Sequence, residues 1–472
     1  MKKRFSIQDK LVYCGIAAYF IICLFVSFTQ KGTVDSGDSV MHFLFAKYSF
    51  QHTSLFFDHW AKPLFVLLSS PFSQFGFVGI KVFNSVVSTL TLIFTYLTAK
   101  KIMKENIFII VILLCFAPLN FTITFSGLTE PLFAFFLICS IYYLVSGKEI
   151  TSSVMVSFLP FVRSEGLIII IVFAIYFLVR RKFKVLPLLL TGHVLYSIAG
   201  YFYYHDFLWV FTKIPYAKLS STYGSGQLTN FVTQMTYVIG IPFYILFALG
   251  FIYFVTSFFY KPFRDSENNY RLKLFVIYGG FLSFFIAHSL FWYLGIFNSM
   301  GLKRVLICVI PLSAFIALDG FNFITGILIK KKSLSYIISC LLIAYIVVFP
   351  FTGNPAAIKW KKEFSMSNDQ ILVNEMAVFM KNNNYNDCVY YYFPPYISLA
   401  LGIDPFDHSK KKELGELFEN KTIPKNSVVI WDDWSAVVEC GISLDKLQND
   451  DRFKEIKTFE LSKSKFVVFL TK

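Results

Sequence analysis

Residues 11–29, LVYCGIAAYFIICLFVSFT, decide how the rest of this chain must fold. The run follows Met1-Lys2-Lys3-Arg4 and is longer than the apolar core of a secretory signal, roughly 7–15 residues with a small-x-small cleavage site behind it. No such site follows, so the run reads as an uncleaved first membrane span. Composition agrees. Of 472 residues, 56% are hydrophobic, 58 are Phe and 15% are charged, against roughly 25% charged in a soluble protein. A soluble core could not hide that much apolar surface. The net charge of +15 is not a nucleic-acid signal, because Lys and Arg stand in short clusters between apolar runs, as the positive-inside bias arranges them.

At about 20 apolar residues per crossing, spans are expected near 11–29, 77–98, 107–125, 128–146, 150–162, 166–180, 185–203, 236–259, 274–294, 304–329 and 333–352, about eleven in all. With the N-terminus in the cytoplasm, alternation gathers Lys100–Lys104, Lys148, Arg180–Lys184, Lys261–Lys273 and Lys330–Lys332 on one face. The other face receives the 33–63 loop, Gly127–Glu130, Arg163–Glu165, residues 204–235, Gly295–Arg304 and the tail. From about residue 353 the chain is richer in Lys, Asp, Glu and Asn. Helices are expected there over Asp369–Lys381, Lys410–Asn420 and Ser443–Asn449, and strands over Cys388–Phe393, Ser427–Trp431 and Ser464–Leu470. The expected architecture is therefore mainly α. A polytopic membrane domain, 1–352, is followed by a small extracytoplasmic α/β domain, 353–472, long enough to bury its own core. A Cys388–Cys440 disulfide is open to such a domain.

Between the first two spans lies TVDSGDSVMHFLFAKYSFQHTSLFFDHWAKP, residues 33–63. A charge at membrane depth costs about 2.5–3.5 kcal/mol, so acids, imidazoles and a lysine crowded at a membrane edge point to binding. Asp38 and His42, four residues apart, would share a helix face, with Asp35 one turn earlier. Helix capping is the plain alternative, but two acids and a histidine exceed that need. In His59-Trp60-Ala61-Lys62-Pro63 an interfacial anchor accounts for Trp60 and leaves His59 unexplained, while Lys62 suits an anionic group. Glu130, Arg163 and Glu165 put charge at the outer ends of spans. An arginine beside lipid requires a partner, either a protein carboxylate or a substrate phosphate. Lys303 and Arg304 oppose the orientation bias, and the forked donors of arginine match phosphate oxygens, with snorkelling as the alternative. Tyr216, Tyr223, Gly224 and Gly226 form a loop suited to cover a substrate or simply to connect.

Taken together, these landmarks resemble the GT-C class of membrane glycosyltransferases, and within it the branch of protein O-mannosyltransferases and aminoarabinose transferases. That branch carries an acidic motif, Asp-Glu-x-x-Tyr or a variant, in its first outer loop. Gly37-Asp38-Ser39-Val40-Met41-His42 is similar, with Ser39 in place of Glu and His42 in place of Tyr. His59-Trp60-Ala61-Lys62-Pro63, Thr-Glu-Pro-Leu-Phe at 129–133, Phe161-Val162-Arg163-Ser164-Glu165-Gly166, and Arg304 with Pro311 resemble further landmarks across about residues 10–350. Where the family depends on a second acid, either Asp35 substitutes or the substrate differs.

The resemblance implies an inverting transfer of a sugar from a polyprenyl-phosphate carrier to a hydroxyl of a protein, lipid or glycan at the outer face. Asp38, with Asp35, would be catalytic. Arg304, Arg163 and Lys62 would meet the phosphate, and His42, His59, Glu130, Glu165 and Tyr223 would hold sugar or acceptor. No cofactor or metal is required in this account, although Asp35 and Asp38 could hold a divalent ion. The expected location is a bacterial inner membrane, with membrane lipid and no nucleic acid as partners. The alternatives are a lipid or sugar transporter or flippase, weakened by the lack of an inverted repeat, and a surface-polysaccharide ligase.

Overall fold

The computed structural model describes residues 6–215, 221–259, 267–329, 331–385, 388–419 and 423–472. Met1–Arg4, Tyr216, Lys261, Lys330 and Asn420, all used above, lie outside them. The first helix, Ile7–Thr29, opens with a capping box: Ser6 Oγ accepts the Asp9 N–H at 3.0 Å and Asp9 accepts the Ser6 N–H at 3.2 Å. The helix Phe77–Ile102 runs antiparallel to it. Lys100 and Tyr96 near its end bond Asp9 at 2.5 and 2.8 Å, and Ser85 near its start meets Ser27 at 3.1 Å.

Seven helices among the described residues are long and apolar enough to cross a membrane: Ile7–Thr29, Phe77–Ile102, Phe183–Tyr204, Ile241–Phe259, Asn269–Leu294, Lys303–Gly326 and Lys332–Phe351. Three further expected spans are the shorter apolar helices Glu130–Val145, Glu149–Phe161 and Gly166–Val179. The eleventh, 107–125, is broken into Ile109–Cys115 and Pro118–Ile123, because Pro118 cannot donate to the preceding turn. An apolar helix that was not expected, Pro63–Ser73, follows the 33–63 loop. The chain is an integral membrane protein.

Lys303–Gly326 is the hub. Its most apolar stretch is 94% buried, against 56% for the next most enclosed span. Close contact with Ile241–Phe259 explains why. A side-chain carbon at Gly250 would lie 1.9 Å from the Ile316 carbonyl oxygen, and one at Gly320 would lie 1.9 Å from that of Leu246. Only glycine allows the two backbones that near.

The tail forms one five-stranded sheet of β1 (Tyr390–Tyr391), β2 (Lys411–Lys412), β3 (Val428–Asp432), β4 (Phe453–Leu461) and β5 (Ser464–Thr471), in the order β2-β1-β3-β5-β4. β1 pairs parallel with β2 and β3, while β5 pairs antiparallel with β3 and β4. Residues of β3 alternate between two cores. Val428 and Ile430 pack with Leu372, Met376 and Met380 of the helix Asn368–Asn382, whereas Val429 and Trp431 pack with Leu447 and Phe453. Two expectations are corrected here. Lys410–Asn420 is not one helix: Lys411–Lys412 is drawn into the sheet by pairing with Tyr390–Tyr391, and a short helix, Glu416–Glu419, follows. Cys388 and Cys440, open to pairing by sequence, are not joined in a disulfide. The strand β4 escaped the sequence reading because most of its side chains are exposed and charged or polar.

Candidate active site

The 33–63 loop is pinned at both ends in left-handed backbone. Val34 has φ 70° and Lys62 has φ 67°, conformations that cost a non-glycine residue about 1–3 kcal/mol and recur where a site over-determines them. After Val34, Asp35 turns the chain into the helix Asp38–Tyr48. Its Oδ1 accepts the N–H groups of Gly37 and Ser39, each at 3.0 Å. The capping alternative is thus correct for one oxygen of Asp35. Its other oxygen accepts Arg304 Nη1 at 2.8 Å, and Arg304 Nη2 pairs with Asp38.

From Arg304 the network runs inward. Its Nε lies 3.5 Å from Glu130 Oε1, which also receives Arg163 Nη1 at 2.9 Å. Arg163 donates to Thr129 Oγ1 at 3.2 Å and to Glu165 Oε1 at 2.9 Å. His288 Nε2 lies 3.8 Å from that same Glu165 oxygen. Six expected residues, Asp35, Asp38, Glu130, Arg163, Glu165 and Arg304, therefore form one contiguous cluster, with Asp38 and Arg304 in contact across 266 positions of sequence. Side-chain exposure falls from 44% for Asp38 to 17% for Arg304 and none for Glu130, then rises to 15% for Arg163 and 19% for Glu165. Glu130 Oε2, Arg163 Nε and His42 Nδ1 are buried with no hydrogen-bond partner among the described residues.

Electrostatics separate the two aspartates. Burial pushes Asp35 above the usual carboxylate range, and the charge of Asp38 adds to this against the pull of Arg304. Burial also acts on Asp38, but Arg304, His42 and Arg163 outweigh it and hold the group below that range. Asp38 is therefore a carboxylate at neutral pH. Burial takes the His42 imidazole down to about 3, helped by Lys62 and Arg163, so it is neutral. Its ring stacks on Trp60 at 4.9 Å. Burial brings the Lys62 ammonium down to about 8 against the attraction of Glu165. Burial would raise Glu165, yet Arg163, His288 and Lys62 together keep it well below its ordinary value.

Ser39 occupies the position where the resemblance would place a second acid. It is fully buried, donates to the Thr33 carbonyl at 2.7 Å and accepts the Gly127 N–H at 2.8 Å. A side chain at Gly127 would meet the Ser39 carbonyl at 2.1 Å. Position 39 rivets the 33–63 loop to the turn before Glu130, which leaves Asp35 as the second acid facing Arg304.

Two other expected residues stand apart from the ion cluster. The His59 ring packs on Trp209 at 5.0 Å and Phe161 at 6.5 Å. The Tyr223 hydroxyl donates to Glu439 Oε1 at 2.7 Å and so ties its loop to the C-terminal sheet domain. Two contributors were not anticipated. His288 lies inside an apolar span, where a lone imidazole was itself a signal. Gln370, from the tail, donates to Thr33 Oγ1 at 2.7 Å and Ser36 Oγ at 3.3 Å, clamping the start of the loop.

No protein-family model matches the chain, and no curated protein matches it in sequence. Solved structures do match in fold. The apo form of an oligosaccharyltransferase from Archaeoglobus fulgidus aligns at 11% identity and TM-score 0.51, over 84% of this chain and 64% of that one. The arabinofuranosyltransferase AftD from Mycobacteria aligns at 11% identity and TM-score 0.52, over 97% of this chain and 40% of that one. The chain thus spans less than two thirds of the length of either. At that identity the likeness is one of fold, and the chain shares the fold of these two structures.

Proposed function

We propose that the chain transfers a sugar from a polyprenyl-phosphate carrier to an acceptor hydroxyl at the membrane face bearing the cluster. The observation that carries this reading is the Arg304 guanidinium spanning Asp35 and Asp38 at the open end of a buried network in which Glu130 Oε2, Arg163 Nε and His42 Nδ1 have no partner among the described residues. Buried polar groups are almost always satisfied in a finished protein, so unfilled ones around an accessible carboxylate are what a polar ligand would complete. The donor has a lipid tail in the bilayer and a phosphate at its edge, the depth expected of charged residues at the ends of apolar helices.

In this reading Asp38 takes the acceptor hydroxyl proton as the hydroxyl oxygen bonds the anomeric carbon. The bond from that carbon to the phosphate oxygen breaks, and the phosphate leaves with the electron pair. Attack opposite the leaving group inverts the anomeric configuration. Arg304, Arg163 and Lys62 stabilise the departing charge, while His42, Glu130 and Glu165 hold the sugar or the cations. His59 and Tyr223 support Lys62 and the covering loop. The protein O-mannosyltransferase and aminoarabinose branch, a bacterial inner membrane and a cytoplasmic N-terminus belong to the same proposal. Fixed cations suffice, and a divalent ion between Asp35 and Asp38 would have to displace Arg304. The test is transfer from a radiolabelled polyprenyl-phosphate sugar by purified protein in liposomes, which Asp38→Asn abolishes. Wild-type transfer by a folded Asp38→Asn protein would remove Asp38 from the mechanism.

A transporter or flippase is the second reading, favoured by the buried pair of Lys273 and Asp319 at 2.8 Å. Tyr278 donates to the other Asp319 oxygen at 3.0 Å, so that carboxylate is already satisfied on both sides, unlike one waiting for cargo.

A further inference from the structure

His288 ends the inward run of charge and has no part in the proposed transfer. It lies on the membrane helix Gly279–Leu294, only 5% exposed, walled by the rings of Phe231, Phe284 and Phe291 at 6.1, 4.6 and 5.8 Å. Its Nε2 faces Glu165 Oε1 across 3.8 Å and has no hydrogen-bond partner among the described residues. A hydrogen bond needs about 2.7–3.2 Å, so the imidazole stands just short of one. A histidine kept only to fill space would strand that nitrogen in an apolar wall, which proteins rarely tolerate.

The oxygen it faces anchors two cations. Glu165 Oε1 accepts Arg163 Nη2 at 2.9 Å, and Glu165 attracts the Lys62 ammonium. Arg163 Nη1 is held by Glu130 at 2.9 Å, so the tilt of the guanidinium depends on where Glu165 stands. The helix of His288 is also gripped at the mouth of the site. Trp292, one turn on and on the same face, accepts the Gly226 N–H at 3.1 Å. An added side-chain carbon at Gly226 or Gly301 would lie 2.1 or 2.7 Å from the Trp292 ring. Gly226 belongs to the loop that carries Tyr223, and Gly301 stands three residues before Arg304. A ligand that draws that loop or Arg304 inward therefore bears on the helix that presents His288.

We propose that His288 is a positioning residue for the donor phosphate: with the donor bound, its Nε2–H donates to Glu165, which in turn fixes Arg163 and Lys62 against the departing charge. The role rests on the transfer function proposed above. Hydrogen bonds at a reaction site are often long before the substrate arrives and tighten in its complex, and groups that touch a ligand need a supporting layer to hold them in place. Charge on the phosphate grows as the bond to the anomeric carbon breaks, so loss of this support falls on kcat more than on KM.

His288→Phe keeps a ring among the phenylalanines and removes the donor. In transfer from a radiolabelled polyprenyl-phosphate sugar by the full-length protein in liposomes, it should lose about tenfold in kcat, the value of one hydrogen bond to a charged group. KM for the sugar donor should stay within about twofold, and Tm should hold or rise, because a stranded nitrogen is gone. His288→Gln, whose side-chain N–H can stand in for the Nε2–H, should regain most of the rate. A packing role gives the opposite order, with phenylalanine tolerated and glutamine harmful. Equal loss of rate in the two variants would also overturn the proposal. In wild-type protein labelled with 15N-histidine, the Nε2–H signal that His288→Gln lacks should move downfield when polyprenyl phosphate is added. An unmoved signal would overturn the role even if a variant misfolds. Absence of transfer by the wild type would end the transfer function and this role with it, whereas wild-type kcat in His288→Phe would end this role alone.

Discussion

Two groups of buried charge share this bundle, and they are built to opposite specifications. The pair of Lys273 and Asp319 is closed. Both carboxylate oxygens are engaged, by Lys273 at 2.8 Å and Tyr278 at 3.0 Å, and Tyr278 also lies 3.1 Å from the Gly250 carbonyl. The pair lies beside two π-helical stretches, Lys273–Tyr278 and Phe323–Leu328, where irregular turns need side-chain support. The Asp38–Arg304–Glu130–Arg163 cluster is open at one end and, among the described residues, leaves Glu130 Oε2, Arg163 Nε and His42 Nδ1 unused at the other. A charge buried for stability is satisfied within the protein, whereas a charge kept for a ligand retains unused bonding capacity.

Matched substitutions would break this contrast if it is wrong. The largest expected effect is Asp38→Asn: transfer falls by about 10²–10⁴ if a general base is lost, while Tm stays put because the side chain is 44% exposed. Asp319→Asn should behave the other way, losing about 3–5 kcal/mol of stability by stranding Lys273, as read by thermal melting in detergent. A stable but inactive Asp319→Asn protein would instead place that pair on a functional path. Smaller again is Arg304→Lys. It keeps the charge but cannot span Asp35, Asp38 and Glu130, and transfer should fall by about 10² with the fold retained. Activity at the wild-type level would mean that a point charge suffices and that the fork is incidental.

The open cluster was legible in the sequence and the closed pair was not, for one physical reason. Glu130, Arg163, Glu165 and Arg304 stand at the ends of apolar runs, where a charge has no topological excuse. Lys273 merged with the basic hairpin before it, and Asp319 sits in the middle of a span with no local partner to announce it. His288, by contrast, carried a readable signal, an imidazole inside an apolar run, that went unused. The break at Pro118 and the helix Pro63–Ser73 depend on how short apolar segments pack, which hydropathy alone does not report. In the tail, Val428–Asp432 and Ser464–Thr471 were readable as apolar runs, but Lys411–Lys412 is a strand only because Tyr390–Tyr391 lies beside it.

The finest test of the open cluster is its alkaline limb. Burial lowers the Lys62 ammonium to about 8, so the form able to meet a phosphate dominates below that pH and is lost as pH rises through it. KM for the lipid-phosphate donor should therefore climb above pH 8, by about tenfold per unit once the ammonium is the minor form. Asp38 is held below the ordinary carboxylate range and contributes no transition there, so the limb belongs to a cation. Lys62→Arg, which stays charged throughout, should flatten the limb while leaving KM at pH 7 within a few-fold. A limb that persists in Lys62→Arg would assign it elsewhere, and a flat wild-type profile from pH 7 to 9 would detach Lys62 from the donor and leave Arg304 and Arg163 alone with the phosphate.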